Sequence, residues 1–250
     1  MDDNEKYLFD LQGYIAVENA LDTAQIVELN RIFDEHIESE CQSDMRTHRF
    51  GNLLHWDKAY RNLIDNRPIA PYLEVILGDK FRLDHVYADI IRSGTSPIGA
   101  TLHGGGVPFD PSQYYHFHGG QMYNGLTVVA YNLADVGPND GGFGCVPCSH
   151  KSNYRYPGEW RNMDEGLAPC VRMVTGPAGT AVIFTEALTH GALPWTGKGE
   201  RRTIFFKYCP HPISWSAGYF DGGDYEGLSE RQRDILEPPN ARWRCFRSIR

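Results

Sequence analysis

A chain of 250 residues is long enough to bury a full core as one large or two small domains, and its 15 Pro and 26 Gly in many short runs favour one turn-rich domain. A formal charge of -8 argues against nucleic-acid or membrane-surface partners, which would repel it. No window approaches the roughly 20 apolar residues of a membrane span, and Met1-Asp2-Asp3-Asn4-Glu5 is too acidic to open a signal peptide, so a cytoplasmic location is expected.

In chain order, Phe9, Gly13-Tyr14-Ile15 and Val17 suggest a short strand. Asp22-Thr23-Ala24-Gln25 is a capping box, and Ile26, Leu29, Ile32, Phe33 and Ile37 continue at helical spacing to about Glu40. A second helix is predicted from Pro68 to Leu77, with Pro71 in its first turn and Gly78 as its stop. From Phe81 the pattern shortens to strands: Phe81 to Arg92, Leu126 to Leu133, Cys170 to Val174, Thr180 to Phe184 and Thr203 to Tyr208, divided by turn residues. Many short strands without helices between them mean an antiparallel sandwich or barrel. A helix returns at Ser229-Glu230-Arg231-Gln232, another capping box. The expected layout is a single domain over 1–250, with N-terminal helices about 20–78, a barrel core about 81–210, and a C-terminal helix and tail 211–250. The six cysteines (Cys41, Cys145, Cys148, Cys170, Cys209 and Cys245) are too scattered for a disulfide scaffold, and Arg242, Arg244, Arg247 and Arg250 read as a solvated basic tail.

The most informative stretch is Thr189-His190-Gly191-Ala192-Leu193-Pro194-Trp195, running on to Glu200-Arg201-Arg202-Thr203. It sets a histidine and an arginine in what reads as one hairpin, and Arg201 and Thr203 share a strand face because strand side chains alternate. A guanidinium beside a hydroxyl is a good receptor for a small carboxylate. Taken alone, two cross-strand partners on a surface hairpin are the simpler explanation of the pattern.

Those residues do not stand alone. Together with Phe9, Gly13-Tyr14, the helix after Asp22, and Asn139-Asp140-Gly141-Gly142-Phe143 leading into Val146-Pro147-Cys148-Ser149-His150-Lys151, the chain resembles the phytanoyl-CoA dioxygenase-like family. Cys148 stands where that family usually has glycine. The resemblance implies a double-stranded β-helix, a cupin-like jelly-roll barrel that is mainly β with flanking helices. It implies Fe(II) and 2-oxoglutarate as cofactors, His190 as the distal iron ligand, and Arg201 as the partner of the far carboxylate of 2-oxoglutarate, with Thr203 beside it. Two imidazoles and a carboxylate on one face of Fe(II) leave positions for a keto acid and O2.

The family's His-x-Asp is missing from the region where it is expected. His103-Gly104-Gly105 and His118-Gly119-Gly120 are the candidates for the first ligand; His103 is preferred for its longer interval to His190 and for Leu102-His103-Gly104-Gly105, which resembles a form in bacterial members. Either way glycine (Gly105 after His103) replaces the aspartate, which opens a coordination position and suits an added anion such as chloride. Alternatively a carboxylate comes from elsewhere: Glu186 would sit about 13 Å from His190 on a continuous strand, too far unless the chain bends, and Asp89, Asp110 and Asp135 read more simply as strand-end or turn residues. A site with two histidines and water, or one that has decayed to binding alone, completes the set. His116 with His118, and a Cys145/Cys148/His150 zinc or redox group, are weaker patterns. Tyr131, Trp195 and Tyr208 are aromatic positions that could line the pocket or fill the core, with Tyr131 carried as a cofactor-binding residue.

The reading is therefore a dioxygenase that hydroxylates a small organic substrate with O2, releasing succinate and CO2. A halogenase and a non-catalytic binding protein on the same fold are the alternatives. Family kinship does not transmit substrate, so acyl-CoA is not implied.

Overall fold

The structure, a computed structural model, describes residues 1–241. The basic cluster from Arg242 to Arg250, and Cys245 with it, lies outside the described residues.

The chain opens with helix α1 (Asp3–Gln12), whose capping box pairs Asp2 with Glu5 and which ends at Gly13 in the left-handed region. Phe9 is thus buried on a helix, not on the strand expected there; only β1 (Tyr14–Val17) is extended. The acceptor at Asp2 and the Glu three residues on were the signal. Helix α2 (Thr23–Glu40) starts on its Asp22/Gln25 box as the sequence dictates. Strand β2 (Thr47–Phe50) and short helices α3 (Leu53–Trp56) and α4 (Lys58–Arg61) follow, then α5 (Ala70–Leu77), with Pro71 in its first turn and Gly78 as its stop.

The β region comprises β3 (Phe81–Gly94), a small hairpin of β4 (Tyr115–His118) and β5 (Gln121–Asn124), then β6 (Thr127–Asn132), β7 (Gly142–Cys145), β8 (Arg172–Met173), β9 (Ala181–Thr185), β10 (His190–Leu193) and β11 (Trp195–Pro210). Helix α6 (Glu230–Ile235) starts on the Ser229/Gln232 box. A six-stranded antiparallel sheet runs β1-β9-β6-β11-β3-β2, and a smaller one runs β10-β7-β8. The two make an open jelly-roll, mainly β with helices on the outside.

Period-two alternation sorts the large sheet into two faces. Val129 and Tyr131 on β6, Ile183 on β9, and Ile204, Phe206 and Tyr208 on β11 join the core shared with the helices. Their neighbours Val128, Ala130, Phe184 and Phe205 turn the other way and pack with Phe143 and Cys145 of the small sheet. Each fully buried side chain of this size contributes about 1.5–3 kcal/mol. Phe206 is fully buried, and truncating it to alanine would cost about 3–5 kcal/mol.

His190 and Arg201 do not share a hairpin. Strand β10 pairs with β7 in the small sheet, whereas β11 pairs with β3 and β6 in the large one. The chain crosses between sheets at Pro194, which cannot donate a ladder hydrogen bond, and the two residues end on opposing walls. No helix among the described residues is long and apolar enough to cross a membrane.

Candidate active site

Between the sheets lies a cavity of about 410 Å³ whose lining includes His103, His190, Glu186, Arg201, Lys207 and Asp89. A larger groove of about 660 Å³ runs between α1, α5 and the β4–β5 hairpin, but its lining holds no histidine. Both His103 and His190 therefore line the smaller space.

His103 and His190 face each other across an isolated antiparallel bridge, each amide N–H donating to the other's carbonyl at 2.9 Å. Their rings lie 4.3 Å apart. The Nδ1 of His103 meets the Thr101 carbonyl at 2.8 Å, and the Nδ1 of His190 meets that of Leu188 at 2.7 Å. A carbonyl only accepts, so Nδ1 carries the hydrogen in each ring and Nε2 is left with its lone pair. Backbone partners of this kind orient metal-ligating imidazoles. Burial, reinforced by His103, pulls His190 down to about 4, so it is neutral at physiological pH.

The sequence motifs position this pair. The Ser149 hydroxyl accepts from the Thr189 amide at 2.7 Å, and the Val146 amide donates to the Thr189 carbonyl at 2.8 Å, fixing the start of β10. Cys148 has φ 70, the left-handed conformation that glycine adopts without strain. In the Asn-Asp-Gly-Gly turn, the Asp140 carbonyl accepts from the Thr196 amide at 2.9 Å, and the Thr196 hydroxyl donates to the Asn139 carbonyl at 2.6 Å. That ties the turn to the strand that carries Arg201.

Glu186 is buried, and Lys207 donates to its Oε1 at 2.6 Å. Its Oε2 lies 3.7 Å from His190 Nε2, because the chain turns between Thr185 and Leu188. Burial alone would raise this carboxyl, but Lys207 and both histidines outweigh it and hold Glu186 at about 2. Burial would likewise lower Lys207, and Glu186 reverses it, so the ammonium stays charged.

Arg201 projects from β11 on the same face as Thr203, Phe205 and Lys207. It is only 4% exposed, and neither its Nε nor the buried Thr203 hydroxyl has a hydrogen-bond partner. Burial pulls the guanidinium down to about 10, with Asp89 opposing. Asp89 is committed elsewhere, accepting from Arg49 at 2.7 and 2.8 Å. A buried cation and hydroxyl without partners call for an anionic ligand.

Other sequence candidates are not brought here. His118 is exposed on the β4–β5 hairpin, as is His116, so neither converges on His190. Tyr131 is fully buried on the helix side of β6, where its hydroxyl accepts from Asn66 at 3.3 Å; it lines the core, not the cavity. Trp195 and Tyr208 are core residues too. Gly105 lines a separate surface pocket with Val146 and Thr189. A Cβ on it would lie 2.9 Å from the Thr189 hydroxyl, at a φ of +102 that favours glycine. Cys145 and Cys148 are free thiols, one buried and one exposed, and His150 is buried with its Nε2 against the Asp10 carbonyl at 3.0 Å. Among the described residues no three His, Cys, Asp or Glu side chains stand in a ready metal-binding arrangement; in this cavity the carboxylate is drawn toward Lys207. Sequence reasoning passed over Lys207, although its place among Ile204, Phe206 and Tyr208 marks it as a charge on the Arg201 face. Nothing in the sequence singled out Arg49.

The fold has relatives among known proteins. The chain superimposes on HygX from Streptomyces hygroscopicus with nickel and 2-oxoglutarate bound, with a TM-score of 0.77 and 23% identity over 92% of this chain and 95% of that one. The form that also holds hygromycin B matches with a TM-score of 0.73 and 22% identity, over 92% and 96%. SnoN, a non-heme α-ketoglutarate-dependent epimerase from nogalamycin biosynthesis, matches with a TM-score of 0.63 and 15% identity, over 95% of each chain. No curated protein sequence matches. The family model for phytanoyl-CoA dioxygenase matches residues 9–203, which takes in β1, His103, Glu186, His190 and Arg201, and the chain therefore belongs to that family of 2-oxoglutarate-dependent oxygenases.

Proposed function

We propose that this chain is an Fe(II)- and 2-oxoglutarate-dependent dioxygenase that hydroxylates a small polar molecule, with His103 and His190 holding the iron and Arg201 with Thr203 gripping the cosubstrate. The observation that carries the reading is the pairing of two Nε2 lone pairs on one wall with a buried guanidinium on the other whose Nε has no hydrogen-bond partner. The donor set suits a first-row divalent ion. When bound, iron and 2-oxoglutarate supply the oxidising power that inserts one oxygen atom of O2 into a substrate C–H bond, with succinate and CO2 as the other products.

The chain's own residues bind and orient. Arg201 and Thr203 would hold the far carboxylate of 2-oxoglutarate, a two-point grip that fixes direction. Phe184 and Phe143, with ring centroids 4.8 and 5.9 Å from the His190 ring, keep that side of the cavity dry. The rest of the lining favours a polar substrate: the Arg49–Asp89 pair, Gln113 and Lys207 sit beside Tyr87 and Trp215. HygX, the similar protein with hygromycin B bound, likewise takes a small molecule beside 2-oxoglutarate.

The halogenase reading rests on Gly105 leaving a position for chloride, and Gly105 lines a surface pocket other than the cavity, where a Cβ on it would meet the Thr189 hydroxyl at 2.9 Å. Hydroxylation is therefore preferred. The test is succinate formation from 2-oxoglutarate by Fe(II)-loaded protein incubated with pools of small polar molecules, compared with His190→Ala. Succinate that depends on His190 and an added substrate is expected; equal background from both proteins would overturn the reading.

A further inference from the structure

We propose that Glu186 is the third protein ligand of the metal, taking over from the aspartate that the His103 segment lacks, and that Lys207 anchors the carboxylate by its other oxygen. This rests on the reading of His103 and His190 as ligands. Had β9 run straight on, Glu186 would lie about 13 Å from His190. The turn after Thr185 brings Oε2 to 3.7 Å from Nε2 instead. Two donors about 2.1 Å from a shared ion at right angles stand about 3 Å apart, so a small side-chain rotation completes the set.

The glycine after His103 belongs to the same arrangement. A Cβ on Gly104 would lie 2.6 Å from the Leu188 carbonyl oxygen and 2.7 Å from that of Glu186, and its φ of +76 already favours glycine. Only a residue without a side chain lets the 186–188 turn pack against the His103 segment. The loss of side chains beside His103 and the arrival of a carboxylate from the opposite segment are thus one structural change. The plain alternative is that Glu186 serves only as counter-ion to Lys207. Against it, Lys207 engages Oε1 and leaves Oε2 facing the imidazole.

The experiment is calorimetric titration of Co(II) into the metal-free full chain, with the visible Co(II) spectrum as a second readout. Because Glu186→Gln leaves Lys207 buried without its partner, the decisive variant is Glu186→Gln/Lys207→Met, which removes both charges together and need not destabilise the fold. It should bind Co(II) at least about tenfold more weakly than the native chain, with an altered spectrum. Lys207→Met alone, which removes a like charge, should bind no more weakly. Native affinity and spectrum in the double variant would overturn the assignment while leaving the histidines in place. Equal Co(II) binding by the native chain and His190→Ala would sink the histidine reading and this inference with it.

Discussion

Replacing Arg201 with methionine separates a ligand-binding role from a structural one, because the two predict opposite signs. The guanidinium is fully enclosed, and burial has pulled its pKa from 12.5 to about 10. At 1.36 kcal/mol per unit that is about 3 kcal/mol of unfavourable charge burial, which a bound carboxylate would relieve. Methionine follows the same path through the core without the charge. Metal-free Arg201→Met should therefore be as stable as the native chain or more so in denaturant titration, the gain being at most about 3 kcal/mol. Its affinity for 2-oxoglutarate, measured calorimetrically with Mn(II) present, should fall by about 10²-fold, the equivalent of the same 3 kcal/mol. Unchanged affinity, or a variant that loses several kcal/mol of stability, would refute the reasoning and make Arg201 a structural partner of Asp89.

Four other outcomes follow from the structure. Burial depresses His150 from 6.5 to about 4, opposed only in part by its bond to the Asp10 carbonyl; the unfolded chain then binds the extra proton, so stability is full above pH 6.5 and falls toward pH 4, by about 3 kcal/mol from this residue. Denaturant midpoints that stay flat between pH 7 and pH 5 would contradict it. Cys148→Gly relieves a left-handed non-glycine residue and should raise stability by about 0.5–1 kcal/mol, the unfolded-state entropy of glycine offsetting part of the gain; a lower melting temperature would count against this. Tyr131→Phe should cost about 1 kcal/mol by removing the hydroxyl that accepts from Asn66 and should leave 2-oxoglutarate affinity unaltered, since Tyr131 faces the helices. Chloride should leave the Co(II) spectrum of the native chain unchanged; a saturable shift would revive the halogenase reading.

Much of the architecture was legible because local rules acted alone. The capping boxes at Asp22 and Ser229 start helices, and Gly78 stops one, without tertiary help. Strands β3, β6, β9 and β11 announce themselves by β-branched and aromatic runs. The Asp2–Glu5 box was equally local, yet Phe9 and Tyr14 drew the reading toward a strand. The Gly119-Gly120 turn of the β4–β5 hairpin is masked in the sequence by the two histidines, His116 and His118, that precede it. The expected Cys170 to Val174 strand shrinks to the two residues of β8, because Cys145 and Gly144 on β7 are all that pair with it. Within the site, His190 and Arg201 were readable as residues but not as opposing walls: nothing local says that β10 and β11 belong to different sheets. Glu186 shows the same limit. Its distance from His190 depends on a turn whose tight packing against Gly104 joins segments more than eighty residues apart, and no periodicity encodes that.

The most direct test of the account is the visible spectrum of the protein under strictly anaerobic conditions with Fe(II) and 2-oxoglutarate. A weak absorption band should appear with the native chain, be lost in His103→Ala and His190→Ala, and weaken in Arg201→Met. No band with the native chain, or a band that survives in both histidine variants, would contradict the claim that these two imidazoles and this guanidinium together form the oxygenase site.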